Sequence, residues 1–165
     1  MYKIELLTPD HDTNSFDCGD GAKNEFLRKF ALQNTKGGLG RTFVAVKPPD
    51  KRRIFGYYTI SSSAVKFDEP PPHLPRYPLP TILIGKLATD IKAQNQGLGT
   101  ALLYNALKRA ARVAEDIGVF YVEIRAVNEK AKTIYEKRGF SAMDDDHLKL
   151  FMNLTKVRKL LVEAD

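Results

Sequence analysis

The stretch Gln94-Asn95-Gln96-Gly97-Leu98-Gly99-Thr100 follows an apolar segment, 82–88, and opens a long run of apolar residues at helical spacing, 97–117. The apolar segment predicts a strand, and the periodic run predicts a long helix. Gly97 and Gly99 leave backbone N–H groups uncovered at the start of this helix, where they have no intrahelical acceptor. Because the helix dipole adds partial positive charge there, the turn is suited to hold a phosphate group.

A glycine-rich turn alone is a weak signal for a ligand. The stretch lacks the Lys-Ser/Thr pair of a P-loop and the full glycine spacing of a dinucleotide fingerprint. On these residues alone, a tight strand-to-helix turn without a ligand is the favoured interpretation.

Two motifs together resemble a known family. Gln94-x-x-Gly97-x-Gly99 resembles the coenzyme A motif of GNAT-fold N-acetyltransferases. Downstream, a second signature of that family is matched by an Asn, a short helix, a Tyr and then Gly-Phe, in Asn128-Glu-Lys-Ala131-Lys-Thr-Ile-Tyr135-Glu-Lys-Arg-Gly139-Phe140. A strand candidate, 119–126, lies between the two motifs, as the fold requires. The resemblance therefore implies an α/β fold of the GNAT type, with a mixed central sheet flanked by helices.

Upstream, the sequence is similar to the GNAT toxins of type II toxin–antitoxin modules. The matching stretches are Phe16-Asp17-Cys18-Gly19, Arg41-Thr42-Phe43-Val44, Gly56-Tyr57-Tyr58, Pro75-Arg76-Tyr77-Pro78-Leu79-Pro80 and Gly85-Lys86-Leu87-Ala88. Those toxins acetylate the amino acid on charged tRNA. The match extends along nearly the whole chain, so it implies the same activity, acetyl-CoA as cofactor, a ribbon–helix–helix antitoxin as partner and, as an option, a homodimer.

Composition agrees with one cytoplasmic domain over residues 1–165. The chain is 43% hydrophobic and 28% charged, which are globular values. We find no apolar run of the roughly 18 residues that span a membrane, and no signal peptide. Cys18 is the single cysteine and cannot form an internal disulfide, which fits a reducing cytosol. The net charge of +6 is consistent with a polyanionic partner such as tRNA.

The remaining pattern predicts the order β-α-β-β-β-α-β-α-β. Strands are expected at 2–7, 42–46, 54–61, 81–88, 119–126 and 148–154, and helices at 21–33, 97–117 and 129–137. Asn128 is a good N-cap for the last helix. Residues 67–80 contain six prolines, so we expect an extended loop there that lines the acceptor site.

The resemblance also implies roles for individual residues. Gln94, Asn95, Gln96, Gly97, Leu98, Gly99 and Thr100 would hold the coenzyme pyrophosphate. The backbone of Leu87, Ala88 and Thr89 would pair with the pantetheine arm. Asn128, Ala131 and Tyr135 would contact the cofactor again, and Tyr135 would be the catalytic acid, because a phenol near pKa ~10 stays protonated at neutral pH. The toxins usually have Gly where Asn95 stands; Asn tolerates a left-handed backbone, but its amide could crowd a phosphate oxygen.

The acceptor is less defined. Arg41, Arg76 and Tyr77 are the candidates for substrate contact, although Tyr77 could instead pack into the core. No residue stands out as a general base, and Asp68, Glu69 and Glu123 stay open. An α-amino group titrates near ~7.7–8.0 and a lysine near ~10.4, so a missing base favours an α-amine acceptor. The alternatives are an acetyltransferase of a small-molecule or protein amine and a non-catalytic coenzyme A-binding module. Asp144, Asp145 and Asp146 predict an acidic turn, and no metal site is expected.

Overall fold

The computed structural model describes residues 1–66, 72–142 and 146–164, which contain seven strands and five α-helices. The strands are β1 (Lys3–Leu6), β2 (Arg41–Val46), β3 (Gly56–Val65), β4 (Leu79–Thr89), β5 (Tyr121–Arg125), β6 (Ser141–Ala142) and β7 (Lys149–Asn153). The helices are α1 (Gly21–Glu25), α2 (Ala31–Lys36), α3 (Leu98–Val113), α4 (Glu129–Lys137) and α5 (Leu154–Ala164). A π-helical turn, Phe26–Phe30, joins α1 to α2, and a 3₁₀ turn, Ile91–Ala93, precedes α3.

The strands are hydrogen-bonded in the order β1-β2-β3-β4-β5-β7-β6. β1 and β3 are both antiparallel to β2. β4 and β5 are parallel, paired from Thr81 opposite Tyr121 to Ile84 opposite Ile124, and β4 continues beyond that pair to Thr89. β7 is antiparallel to both β5 and β6. The sheet is therefore mixed, and the predicted α/β fold class is confirmed.

The chain divides into two compact units. Unit 1 comprises Met1–Ser61 and Gly85–Ala106. Its core is a cluster of buried apolar side chains from β2, β3, the helical segment 21–36, the end of β4 and the adjoining loops: Leu7, Phe16, Leu27, Ala31, Val44, Val46, Ile54, Tyr57 and Ala88. Asp20 is the N-cap residue of α1, and its carboxylate accepts hydrogen bonds from the backbone N–H groups of Ala22 and Lys23. This cap satisfies two of the N–H groups that lack an intrahelical acceptor.

Unit 2 comprises Ser62–Ile84 and Leu107–Asp165. Val65, Leu79 and Phe151 form a buried cluster against which Leu74, Phe120 and Tyr121 pack. The chain turns directly from β7 into α5, and the side chain of Asn153 accepts a hydrogen bond from the N–H of Lys156 at 2.8 Å. Whether the two units form one domain, as the sequence predicts, stays a prediction.

Several element boundaries differ from those predicted. The helix predicted over 21–33 extends to Lys36, and the strand predicted over 54–61 spans Gly56–Val65. Leu79 and Pro80, which were predicted to lie in the proline-rich loop, belong to β4. Residues 67–71 of that predicted loop lie outside the described residues. β6 and α5 were not predicted. The last strand was predicted to extend to residue 154, but it ends at Asn153, and the side chain of Asn153 caps the helix that follows.

In the part of the chain that the structure describes, we find no helix long and apolar enough to cross a membrane.

Candidate functional site

The turn between β4 and α3 is fixed by two polar side chains of unit 1. Asp90 is buried, and its carboxylate accepts hydrogen bonds from the N–H groups of Asp17 at 3.1 Å and Lys92 at 2.9 Å. The side-chain amide of Gln94 donates to the carbonyl oxygens of Thr89 at 3.0 Å and Cys18 at 3.2 Å. Gln94 therefore ties the turn to the end of β4.

The middle of the turn is exposed and has a left-handed backbone. Asn95 has φ +62° and Gly97 has φ +82°, and residues 94–97 are all exposed. A Cβ atom built on Gly97 would meet no atom within 4 Å, so open space lies in front of the start of α3. The first N–H groups of the helix lack intrahelical acceptors, and the helix dipole adds partial positive charge. This open, positively polarised turn fits the pyrophosphate of coenzyme A.

The start of α3 packs tightly against the sheet at Gly56. A Cβ atom on Gly56 would lie 2.8 Å from a methyl carbon of Leu102 and 3.0 Å from the carbonyl oxygen of Ala88. Farther along, the hydroxyl of Tyr58 donates to the side-chain oxygen of Asn105 at 2.7 Å. Close packing and this hydrogen bond hold the helix N-terminus in a fixed position beside the end of β4.

The end of β4, predicted to pair with the pantetheine arm, receives a lysine from α1. The ammonium group of Lys23 donates to the carbonyl oxygen of Leu87 at 3.4 Å. Ala88 is buried, whereas Leu87 and Thr89 are half-buried. Lys23 is half-buried, because its long side chain folds back onto the strand end.

The second predicted motif lies in unit 2. Asn128 caps α4 as predicted: its side-chain oxygen accepts a hydrogen bond from the N–H of Ala131 at 2.9 Å. Asn128 is exposed and Ala131 is half-buried. The two residues predicted to contact the coenzyme from this helix therefore form its N-terminal cap.

Tyr135 lies in the last turns of α4, with its ring edge-to-face against Phe140 at a centroid distance of 6.2 Å. Burial raises the pKa of its phenol above the ordinary value. Among the described residues, its hydroxyl has no hydrogen-bond partner. The side chain therefore combines a packed ring with a protonated hydroxyl that is available to a ligand.

The three residues predicted to contact the substrate differ in their surroundings. Arg41 is exposed, and its guanidinium donates to the carbonyl oxygen of Thr35 at 2.6 Å, near the end of α2. Arg76 is exposed, and Tyr77 is 66% exposed. The alternative in which Tyr77 packs into the core is therefore excluded.

The remaining candidates for a general base or a reactive thiol differ in how deeply they are buried. Of the three possible bases, Asp68 and Glu69 lie outside the described residues, whereas Glu123 on β5 is buried. Cys18 is half-buried, and burial raises the pKa of its thiol, which agrees with a structural cysteine. Within the described ranges, no group of His, Cys, Asp and Glu side chains could hold a metal ion.

Sequence reasoning missed Asp90 and Lys23 as supports of the turn and the strand end. Asp90 had a detectable signal, since an Asp directly after an apolar strand and before a turn often accepts backbone N–H groups. Lys23 had none, because its contact with Leu87 joins residues far apart in sequence.

Comparison with known proteins identifies the family. A model of the acetyltransferase (GNAT) domain matches residues 38–142. A "tRNA-acetylating toxin" of Mycobacterium tuberculosis (strain ATCC 25618 / H37Rv) is 32% identical over 153 residues, covering 91% of this chain and 90% of that protein. The chain belongs to the GNAT acetyltransferase family, and the predicted similarity to tRNA-acetylating toxins is confirmed.

Two solved structures of the toxin AtaT are also similar over nearly the whole chain. AtaT complexed with acetyl-methionyl-tRNAfMet has a TM-score of 0.89 and 27% identity, covering 97% of this chain and 99% of that one. A mutant AtaT bound to the C-terminus of the antitoxin AtaR and acetyl-CoA has a TM-score of 0.85 and 27% identity, covering 98% and 99%.

Proposed function

We propose that this protein is an acetyl-CoA-dependent N-acetyltransferase that acetylates the α-amino group of aminoacyl-tRNA and thereby blocks translation, as the toxin of a type II toxin–antitoxin pair. The observation that carries this proposal is the similarity, over nearly the full length of both chains, to AtaT complexed with acetyl-methionyl-tRNAfMet. The relative named as a tRNA-acetylating toxin supports the same activity.

The exposed turn at the start of α3 would hold the coenzyme. The N–H groups of residues 97–100 would donate to the pyrophosphate, while Gln94 keeps the turn in place through its bonds to Thr89 and Cys18. The backbone of Leu87, Ala88 and Thr89 would pair with the pantetheine arm, and Asn128 and Ala131 would contact the coenzyme from α4. When bound, acetyl-CoA supplies a thioester whose carbonyl carbon is the electrophile.

Tyr135 would act as the acid. Its phenol would donate a hydrogen bond, and then a proton, to the sulfur atom of the departing coenzyme A. Burial raises the pKa of this phenol, so the residue stays protonated across the whole neutral range. The hydroxyl has no partner among the described residues, so no existing hydrogen bond has to break before it donates.

The acceptor would be an amine on an anionic carrier. An α-amino group titrates near ~7.7–8.0, so a useful fraction is neutral at physiological pH. The excess of basic residues, with a net charge of +6, would attract the tRNA backbone. Exposed Arg76 and Tyr77 would contact phosphate and stack on a base, and Arg41 would contribute a further positive charge.

We further propose that the protein acts in the cytoplasm, as a homodimer, and is neutralised by a ribbon–helix–helix antitoxin. The binding of AtaT to the C-terminus of the antitoxin AtaR supports a protein partner. A reducing compartment is consistent with the single free cysteine, Cys18.

The test is transfer of radiolabelled acetyl from acetyl-CoA to a mixture of charged tRNAs, with deacylated tRNA and small amines in parallel. We expect label on the charged tRNAs alone, released together with the amino acid on mild alkaline hydrolysis. Transfer to small amines but not to charged tRNA would overturn the tRNA acceptor while leaving the acetyltransferase. Coenzyme binding without transfer to any amine would instead indicate a binding module.

A further inference from the structure

A half-buried lysine of unit 1 lies at the end of β4. Lys23 on α1 donates from Nζ to the carbonyl oxygen of Leu87 at 3.4 Å. The backbone of Lys23 is held on both sides, since its N–H donates to the Asp20 carboxylate at 3.4 Å and its carbonyl oxygen accepts the hydroxyl of Tyr57 at 2.9 Å. The side chain therefore starts from a fixed point between α1 and β3, and it reaches the strand end from there.

This ammonium group has no carboxylate partner among the described residues. The carboxylates of the surrounding segment are engaged elsewhere. Asp17 accepts from the side-chain amide of Asn24 at 2.9 Å, and Asp20 accepts from backbone N–H groups at the start of α1. Glu25 pairs with Lys29 at 3.0 Å. A half-buried charge without a counterion costs free energy, so the site is suited to an anionic ligand.

A second ammonium group lies on the face of β4 that α1 covers. Nζ of Lys86 is 4.3 Å from the ring centroid of Phe26, and this ring stacks on Tyr57 at 6.2 Å. Side chains alternate along a strand, so Lys86 shares a face with Ala88, which belongs to the same core cluster as Tyr57. Phe26 follows Lys23 by three residues in one helical segment, which makes their side chains neighbours. Two positive charges are thus gathered at the strand end, and each adds to the attraction for an anion.

Leu87 lies toward the acceptor side of the proposed coenzyme site. The pyrophosphate is proposed to bind at the start of α3, and β4 leads toward that turn through Leu87, Ala88 and Thr89. Leu87 is the one of these three residues that is farthest along the chain from the turn. Acetyl-CoA carries its acetyl group at the end of the pantetheine arm opposite to the pyrophosphate, and that end has no anionic group. An anion that reaches Lys23 would therefore be supplied by the acceptor.

We propose that Lys23 is a specificity-determining residue that binds a phosphate of the acceptor, and that Lys86 adds to the positive charge around it. The proposal rests on the proposed function, because it concerns the acceptor of that same transfer. In charged tRNA the phosphate nearest to the α-amine is the phosphodiester that links the last two nucleotides. A hydrogen bond between an ammonium group and a phosphate is charge-assisted, and it is stronger than the present 3.4 Å contact with the carbonyl of Leu87.

The experiment compares two acceptors that carry the same amino acid, one whose charged tRNA the wild-type protein acetylates. Aminoacyl-adenosine has no phosphate, whereas aminoacyl-cytidylyl-adenosine has one phosphodiester. Values of kcat and KM are measured for both at saturating acetyl-CoA, with wild type, Lys23→Met and Lys23→Arg. The matched control is Lys36→Met, which removes the same charge from an exposed lysine at the end of α2. Thermal unfolding and calorimetric affinity for acetyl-CoA are measured on each variant.

We expect Lys23→Met to raise KM for the dinucleotide acceptor by about 10- to 100-fold, because a hydrogen bond to a charged group is lost. KM for aminoacyl-adenosine should not change, and Lys23→Arg should recover most of the loss. With charged tRNA, the slope of log(kcat/KM) against log salt concentration should become shallower by about 0.7 in Lys23→Met, as expected for one phosphate contact of a single strand. Lys36→Met should have the KM values of wild type.

An equal rise in KM for both acceptors in Lys23→Met overturns the proposal, since a residue that only shapes the strand end affects them alike. So does a loss of acetyl-CoA affinity with both acceptor KM values unchanged, because the ammonium group would then act on the coenzyme. If Lys23→Met does not fold, Lys23→Gln replaces it and the same two comparisons decide.

The two proposals fail in different ways. A wild-type protein that acetylates neither the two acceptors nor charged tRNA overturns the proposed function, and this inference with it. A wild-type protein that acetylates both acceptors, with KM values that Lys23→Met leaves unchanged, overturns this inference alone.

Discussion

The side-chain amide of Gln94 donates to the main-chain carbonyl of Thr89 at 3.0 Å, so the turn that starts α3 is bonded back onto the strand that precedes it. A second bond from the same amide reaches the carbonyl of Cys18 at 3.2 Å. The first residue of the sequence motif therefore acts on the shape of the turn, and the N–H groups at residues 97–99 remain for the ligand.

Gln94→Ala is expected to weaken acetyl-CoA binding by about 10-fold, because loss of two hydrogen bonds leaves the turn to be ordered by the ligand. Titration calorimetry with acetyl-CoA measures this effect. Gln33→Ala, at an exposed position of α2, is the matched control and should bind as wild type does. Equal affinities for Gln94→Ala and wild type would contradict the role of Gln94 in shaping the turn.

Asn95 has a left-handed backbone, with φ +62°. Asn95→Ala is expected to destabilise the protein by about 1 kcal/mol, because Ala tolerates this region less well than Asn. Asn95→Gly removes the side-chain amide near the proposed phosphate position and keeps the backbone, so we expect a few-fold tighter binding of acetyl-CoA. Urea denaturation and calorimetry on the two variants check both statements; weaker binding by Asn95→Gly would mean that the amide assists the phosphate.

Gly56→Ala is expected to lower the free energy of unfolding by about 1–3 kcal/mol, since its Cβ would overlap Leu102 and the carbonyl oxygen of Ala88. Gly118→Ala is the matched control, because a Cβ there meets nothing within 4 Å and the backbone is not left-handed. Urea denaturation should show no loss for the control. A Gly56→Ala variant as stable as wild type would show that α3 can shift away from the sheet freely.

Stability should fall at alkaline pH. Burial raises the pKa of Tyr135 above the ordinary value of 10.0, and Tyr121 shifts in the same direction. Above about pH 10 the unfolded chain therefore loses these protons before the folded protein does, and the free energy of unfolding decreases as pH rises. Tyr135→Phe should make this decrease less steep between about pH 9 and pH 11 in urea denaturation. An unchanged slope would indicate that the phenol ionises equally in both states.

The parts of the fold and of the candidate site that depend on local sequence could be predicted. The spacing of apolar residues and the glycines predicted α3 and its turn, and the Asn128 cap of α4 follows from capping chemistry alone. The left-handed backbone at Asn95 agrees with the tolerance of Asn for this conformation, which the sequence analysis noted.

The parts of the fold and of the candidate site that depend on contacts between residues far apart in sequence could not be predicted. The bond between Lys23 and Leu87, and the bond from the N–H of Asp17 to the carboxylate of Asp90, arise only when separate segments are brought together. The helix α5 was missed for a different reason: the apolar residues of β7 run directly into those of α5, and only the capping side chain of Asn153 marks the boundary.

The most direct test of the proposed function is mass spectrometry of the aminoacyl-adenosine released by nuclease from charged tRNA, after incubation with acetyl-CoA and either wild-type protein or Tyr135→Phe. We predict an N-acetylated aminoacyl-adenosine with wild type and a loss of about 10²- to 10⁴-fold in its rate of formation with Tyr135→Phe, at equal acetyl-CoA affinity. Unmodified aminoacyl-adenosine after wild-type treatment, despite bound acetyl-CoA, would contradict the tRNA acceptor, and an undiminished rate in the variant would contradict the catalytic role of Tyr135.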